Sequence, residues 1–317
     1  MNRVRSIIQA PTLDAPYLGQ NIGIAVLDTG IYPHPDFHQR IAGFFDVTHM
    51  RKKIYDDCGH GTHVSGIIAG DGTASDGRFQ GIAPKAHIVS VKVLDHKGNG
   101  NISSLLKGIR WILQHKDQLQ IRIMNISAGT PSKRKEDEYS SLIRGVEDAW
   151  DAGLVVVTAA GNNGPHPMSI TTPGISRKVI TVGCSDDDKT ANIMGSKMIH
   201  YSGRGPTASC ILKPEIVAPG SNITSCSSKK SRNQLYCSKS GTSMATPVVS
   251  GAIAVLLSKY PHLNNVEVKL LLRKTAQNIG LNRSQQGWGM INVENLLNET
   301  LLTENLLVDY FSGTHSR

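Results

Sequence analysis

The segment Gly241-Thr242-Ser243-Met244-Ala245-Thr246-Pro247 runs straight into Val248-Val249-Ser250-Gly251-Ala252-Ile253-Ala254-Val255-Leu256-Leu257. The second stretch reads as a buried helix with small residues on its packing faces. Ser243 stands at the mouth of that helix. There it meets unpaired backbone N–H groups and the positive end of the helix dipole. Both would stabilise an oxyanion forming beside it. Pro247 fits a first helical turn, where its missing N–H has no intrahelical partner to lose. A lone serine in this place is more often an N-cap than a nucleophile. Its company elsewhere in the chain reverses that reading.

Working outward, Asn21-Ile22-Gly23-Ile24-Ala25-Val26-Leu27-Asp28-Thr29-Gly30 is an apolar strand ending in an acid and a turn glycine. Functional side chains of open α/β sheets sit at the carboxyl ends of strands, where Asp28 falls. Gly59-His60-Gly61-Thr62-His63-Val64 opens a small-residue helix with a histidine at its start. Two histidines three apart suggest a metal pair, but zinc needs a third and fourth ligand of recognisable spacing, and none accompanies them. Asp, His and Ser in this order are instead the parts of a nucleophilic acyl-transfer site. The base takes the hydroxyl proton and the carboxylate holds the base in one tautomer.

These motifs, with Ala159-Ala160-Gly161-Asn162 after the apolar strand Leu154-Val155-Val156-Val157, resemble those of the subtilase family of serine proteases. The likeness runs from about residue 5 to about residue 297. It implies Ser243 as nucleophile, His60 as general base and then acid, and Asp28 as orienting carboxylate. It also implies Asn162 as a side-chain donor to the oxyanion, beside the Ser243 backbone N–H. The substrate backbone would lie as an added strand between Gly98-Asn99-Gly100-Asn101 and Ser127-Ala128-Gly129. The primary specificity pocket would be walled by Ser127, Ala128 and Gly129 on one side and Ala159, Ala160 and Gly161 on the other. No charge lies in those walls, which points to a neutral or apolar preference.

Composition agrees with an enzyme domain. The 317 residues are 39% apolar, enough to bury a full core, and 31 glycines suit a tightly turned chain. Strands predicted over 21–28, 87–94, 121–127, 153–159 and 178–184 alternate with helices over 61–70, 103–116, 138–152 and 242–258. A later helix is expected over 265–276. Alternation predicts an α/β fold, a doubly wound and mainly parallel sheet with helices on both faces. One domain is expected. Residues 1–20 lead in, 21–297 form the peptidase unit and 298–317 form an apolar C-terminal tail.

The net charge of +9 is scattered. Lys133-Arg134-Lys135 is followed at once by Glu136-Asp137-Glu138, and Lys229-Lys230-Ser231-Arg232 lies in a polar stretch, 222–239, read as a long surface loop. The expected partners are polypeptide substrates, with no nucleic acid and no membrane. No signal-peptide or transmembrane stretch is evident, and five cysteines are an odd number for a disulfide framework. Both point to the cytoplasm, although Cys226 and Cys237 flank the 222–239 stretch and could bridge it. Likeness to the mature domain begins almost at Met1, so the resemblance implies that no long pro-domain precedes it.

No cofactor is expected. Asp36 matches a family position that often ligates calcium, but the loop Asp71-Gly72-Thr73-Ala74-Ser75-Asp76-Gly77-Arg78 is not its usual Asn-rich partner. One carboxylate does not make the six to eight oxygens calcium needs, so no metal site is predicted. Cys58, two residues before His60, reads either as a small packing residue or as a reactive thiol. For function, a broad endopeptidase leads. A dedicated precursor-processing peptidase and a non-catalytic peptide-binding homologue are the alternatives.

Overall fold

A computed structural model describes residues 1–132, 135–193, 195–228 and 235–299. Lys133-Arg134, the Lys229-Lys230-Ser231-Arg232 knot and the tail from residue 300 lie outside these described residues.

Seven strands form one parallel sheet, in the spatial order Ile216–Ala218, Ile180–Cys184, Val155–Ala159, Ile121–Ile126, Gly23–Asp28, His87–Lys92 and Ile41–Asp46. Strand Gly23–Asp28 is buried along its whole length, as a central parallel strand covered on both faces must be. The chain first builds the sheet on one side of this strand and then on the other, from Ile121–Ile126 outward. The order therefore reverses beside Asp28, where such sheets open a binding crevice. The five strands expected from alternation are all present, slightly shortened. Ile41–Asp46 and Ile216–Ala218, one at each edge, were not expected.

The helix Thr242–Lys259 crosses the sheet, and 83% of it is buried. It is long and apolar enough by composition to cross a membrane, but here it packs against both the sheet and helix His60–Ala69. Each fully buried Val, Leu or Ile of such a helix contributes about 1.5–3 kcal/mol relative to exposure. Pro247 lies inside this helix, beyond the first turn where it was expected. Its ring nitrogen cannot supply the hydrogen bond that would otherwise reach the Ser243 carbonyl.

The helices Ile102–His115 and Ser141–Asp151 start on side-chain caps from Asn101 and Ser140. Helix Asn265–Thr275 opens with a complete capping box between Asn264 and Glu267. The stretch read as a long loop, 222–239, is instead a hairpin of Ile223–Cys226 and Tyr236–Lys239. Its polar composition hides that Ser225 and Cys226 are fully buried against helix His60–Ala69. The register places Cys226 opposite Tyr236 and Cys237 opposite Ser225, so adjacent side chains leave on opposite faces. All five cysteines are free, and the Cys226–Cys237 bridge is not formed.

The N-terminal residues are more than a lead-in. Asn2–Ile7 is a helix with Val4 buried, followed by buried Ile8. Arg3 donates to the Ser221 carbonyl at 2.6 Å, and the Val293 N–H reaches the Ile8 carbonyl at 2.7 Å. The first turn of chain is thereby tied to two distant parts of the domain.

Candidate active site

Asp28 ends its strand with no exposed surface. Its Oδ1 accepts the Thr29 N–H at 2.7 Å, and His60 Nδ1 lies 2.8 and 2.9 Å from its two oxygens. A carboxylate can only accept, so Nδ1 carries the proton and Nε2 is left as the basic nitrogen. Burial alone would lower the pKa of His60. The Asp28 charge and hydrogen bond outweigh it and raise the pKa above the ordinary imidazole value of 6.5. His60 sits at the start of its helix because Gly61 lets the helix close onto the strand end. A Cβ there would collide with the Gly30 carbonyl and lie 3.2 Å from Asp28 Oδ1.

A carboxylate that sequence reasoning missed builds this corner. Asp56, 8% exposed, accepts from Thr29 Oγ1 at 2.8 Å and from the N–H groups of Cys58, Gly59 and Thr62 at 3.1, 2.7 and 2.9 Å. Thr62 Oγ1 adds a fifth donor at 2.6 Å. Burial opposes its ionisation, yet these donors hold its pKa below the ordinary carboxylate value. Asp56 thus ties the Asp28 turn to the first turn of the His60 helix. Beneath them Lys92, paired in register with Asp28, is fully buried. It donates to the Thr29 and Leu94 carbonyls at 2.7 and 2.9 Å and to Asp57 at 2.7 Å.

His63 is not the partner of His60 in a metal site. Its Nε2 donates to the carbonyls of Ile223 and Cys237 at 3.0 and 3.1 Å, clamping the 223–239 hairpin onto the helix. Its buried Nδ1 has no partner, and burial pushes its pKa down to about 3.

Ser243 is the second residue of its helix, and its Oγ donates to the Ser127 carbonyl at 2.8 Å. Asn162 is oriented by Thr242, whose N–H and Oγ1 meet Asn162 Oδ1 at 2.9 and 3.0 Å. With its oxygen engaged, the Nδ2 donors remain for a ligand. Thr242 Oγ1 also accepts the Gly161 N–H at 3.1 Å, which fixes the turn that carries Asn162. This clamp joins residues 80 apart, so no local pattern announces it.

Gly98 and Asn99 lie in a tight turn closed by the Asp95 N–H on the Asn99 carbonyl at 2.8 Å, and Gly100 and Asn101 follow it. Asn101 Oδ1 caps the next helix by accepting the Ser104 N–H at 2.8 Å. Across from them Ser127, Ala128 and Gly129 leave the end of strand Ile121–Ile126. Gly129 and Gly161 both press on Thr171, whose Oγ1 would lie 2.6 and 2.7 Å from a Cβ at either position. Thr171, unremarkable in sequence, therefore joins the two expected pocket walls. Behind them Ile143, Ala160, Ile170 and Ile175 form an apolar cluster. A cleft of about 570 Å³ lies elsewhere, lined by residues such as Gln20, Lys116, Arg122 and Pro261, and contains none of these groups.

Residues 19–289 match the subtilase family model, peptidase family S8. The chain belongs to the subtilase family. Serine protease AprX of Bacillus subtilis (strain 168) is 42% identical over 292 residues, covering 87% of this chain and 66% of AprX. Minor extracellular protease Epr of the same strain is 36% identical over 276 residues, covering 86% of this chain but 38% of Epr. Subtilisin DY of Bacillus licheniformis is 34% identical over 293 residues, covering 91% of this chain and 95% of that protein. This subtilase thus spans 66% and 38% of the lengths of AprX and Epr. Sphericase superposes with a TM-score of 0.74 at 28% identity, covering 92% of this chain and 97% of its own.

Calcium, common among subtilases, meets an unsuitable shell at Asp36. Its carboxylate accepts the Ala74 N–H at 2.9 Å and the Tyr236 hydroxyl at 2.9 Å from each oxygen, with the Cys226 thiol at 3.6 Å. These are hydrogen-bond donors rather than the oxygen ligands a hard cation needs. His34, Asp36 and Cys226 do cluster, but the Asp36 N–H occupies His34 Nδ1 at 3.1 Å and the Leu235 carbonyl occupies Nε2 at 2.8 Å. The reactive-thiol reading of Cys58 is also weakened. Burial and the nearby Asp56 and Asp28 charges raise its pKa, so thiolate is disfavoured.

Proposed function

We propose that this subtilase is a serine endopeptidase acting through Ser243, His60 and Asp28. The observation that carries the reading is the Asp28–His60 pair at 2.8–2.9 Å, its carboxylate fully buried and its imidazole partly exposed, in a chain that also holds a helix-mouth serine and an amide whose oxygen is already engaged. Ser243 Oγ attacks the peptide carbonyl carbon as His60 Nε2 takes its proton. The carbonyl oxygen becomes an oxyanion held by Asn162 Nδ2 and the Ser243 N–H. The C–N bond then breaks, and His60 delivers its proton to the departing amine. Water repeats the sequence on the acyl-enzyme. Residues 98–101 and 127–129 would hold the substrate main chain, and the apolar cluster that includes Ala160 supports a neutral or apolar primary pocket. Main-chain binding of this kind favours broad specificity.

Incubation with casein and a peptide library, with and without a fluorophosphonate, tests this. Labelling of Ser243 with broad cleavage is expected. Labelling with one cleavage motif would indicate a dedicated processing peptidase, and a folded but unlabelled protein a peptide-binding homologue. Asn162→Leu is expected to lower kcat by about 10²–10³-fold with little change in KM, because the donor acts on charge present only in the transition state. Steady-state kinetics checks it.

The raised pKa of His60 sets the pH dependence. Only the neutral imidazole accepts a proton, so activity is lost as pH falls through that pKa. The acid limb of kcat/KM should therefore have its midpoint above 6.5. In Asp28→Asn the charge that raises the pKa is gone, and the midpoint should move down while kcat falls.

A reducing compartment is proposed from the five unpaired cysteines. The relative Epr is named extracellular. Immunoblots of cell lysate against culture supernatant distinguish the two locations.

A further inference from the structure

A polar side chain sits in the middle of the apolar sheet. Asn125 has no exposed surface, lies among buried Ile123, Met124 and Ile126 of its own strand, and pairs with Val26 and Val157 of the adjoining strands. A buried amide is costly unless both its ends are engaged. Here they are. Asn125 Oδ1 accepts the hydroxyl of fully buried Ser250 at 2.9 Å, and Asn125 Nδ2 donates to Ser127 Oγ at 3.0 Å. Ser127, itself buried, offers its carbonyl to the Ser243 hydroxyl at 2.8 Å.

These contacts close a ring. Ser243 and Ser250 belong to one helix, and their spacing puts them on the same face, about two turns or roughly 10 Å apart along the axis. Asn125 and Ser127 are alternate residues where the strand ends, so they too share a side. Helix and strand end are thereby fastened at two points, one at the nucleophile and one deeper in the core. The fastening matters because Pro247 denies the Ser243 carbonyl its helical hydrogen bond. The turn that carries the nucleophile is held less by its own helix than an ordinary first turn is. We propose that Asn125 and Ser250 are positioning residues that set the distance between Ser243 and the strand expected to carry the acyl half of the substrate. This rests on the serine endopeptidase reading. Both are fully buried and act through Ser127, whose main chain begins that strand. The far end of the strand is held separately, where Thr130 pairs with Thr172. Loosening the relay should therefore shift Ser127 against Ser243 while the strand stays in place, lowering kcat rather than raising KM.

The test is a double-variant cycle on Ser250→Ala and Ser127→Ala, with peptide kinetics, fluorophosphonate labelling and thermal midpoints measured on the same samples. Ser250→Ala removes one end of the relay. Ser127→Ala removes the other and keeps the carbonyl that faces Ser243. Each should lower kcat about tenfold with KM nearly unchanged, given that a 1 Å misplacement costs on the order of 10²-fold. Labelling of Ser243 should slow by the same factor. The losses should not multiply, because either substitution breaks the same chain, so the double variant should stay about tenfold down rather than about a hundredfold. A purely structural role would lower the midpoint and leave kcat alone at temperatures well below it. Where the orphaned Asn125 acceptor keeps Ser250→Ala from folding, Asn125→Leu with Ser250→Ala removes that acceptor, and the same loss of kcat is required. Wild-type kcat in the folded relay variants, or losses that multiply in the double variant, overturns the role of Asn125 and Ser250. A folded wild type in which Ser243 is never labelled overturns the peptidase reading itself.

Discussion

Ser243→Ala is expected to lower kcat by about 10⁶-fold, the scale a disabled nucleophile shows in subtilisin itself. His60→Ala should lose about as much, and the double variant little more, because the two act as one unit. In the proposed mechanism the serine is an ordinary alcohol until His60 accepts its proton, and His60 serves as the base because Asp28 holds its other nitrogen at 2.8 Å. Residual activity over water should survive from Asn162 and main-chain binding. The fold should not suffer. Ser243 Oγ makes one hydrogen bond, to a carbonyl at the site surface, so its loss costs roughly 1 kcal/mol. Peptide hydrolysis against thermal midpoint separates the two effects.

The largest expected stability loss lies in the core. Glu215 is 6% exposed and receives the fully buried Lys213 ammonium at 2.7 and 2.8 Å, the Thr181 N–H at 2.9 Å and Lys269 at 3.2 Å. Burial lowers the pKa of Lys213 to about 8 even with this carboxylate alongside. Glu215→Ala would strand that ammonium, leaving it a carbonyl at 3.3 Å and a hydroxyl at 3.1 Å. Removing one partner of such a pair typically costs about 3–5 kcal/mol, whereas replacing both by apolar residues is often nearly neutral. Glu215→Ala should therefore melt well below wild type, and Lys213→Met with Glu215→Leu much closer to it. Denaturant midpoints should be measured in a Ser243→Ala background, where unfolded chains are not digested by folded ones.

The fold was legible wherever one stretch of chain carries its own signal. Gly23–Asp28 is apolar throughout, and Thr242–Lys259 is buried nearly all round, so both announce a central place. The element ends that carry Asp28, His60, Asn162 and Ser243 were legible because each lies inside a short motif. What stayed hidden depends on partners far along the chain. Asp56 looks like a loop acid until Thr29 and Thr62 close around it. Lys92 looks like an exposed strand lysine until Asp57 and two carbonyls take its protons. The 222–239 stretch reads as a surface loop because its fully buried Ser225 and Cys226 are packed by contact with the His60 helix rather than by hydrophobicity.

The central claim is that Ser243 is activated by His60 for attack on a carbonyl. Its most direct test is active-site titration with a fluorophosphonate, the labelled residue being mapped by mass spectrometry in wild type and in His60→Ala. Stoichiometric labelling at Ser243 that becomes orders of magnitude slower in the folded His60→Ala protein is the predicted result. No labelling of the folded wild type, or labelling at a residue other than Ser243, would contradict it.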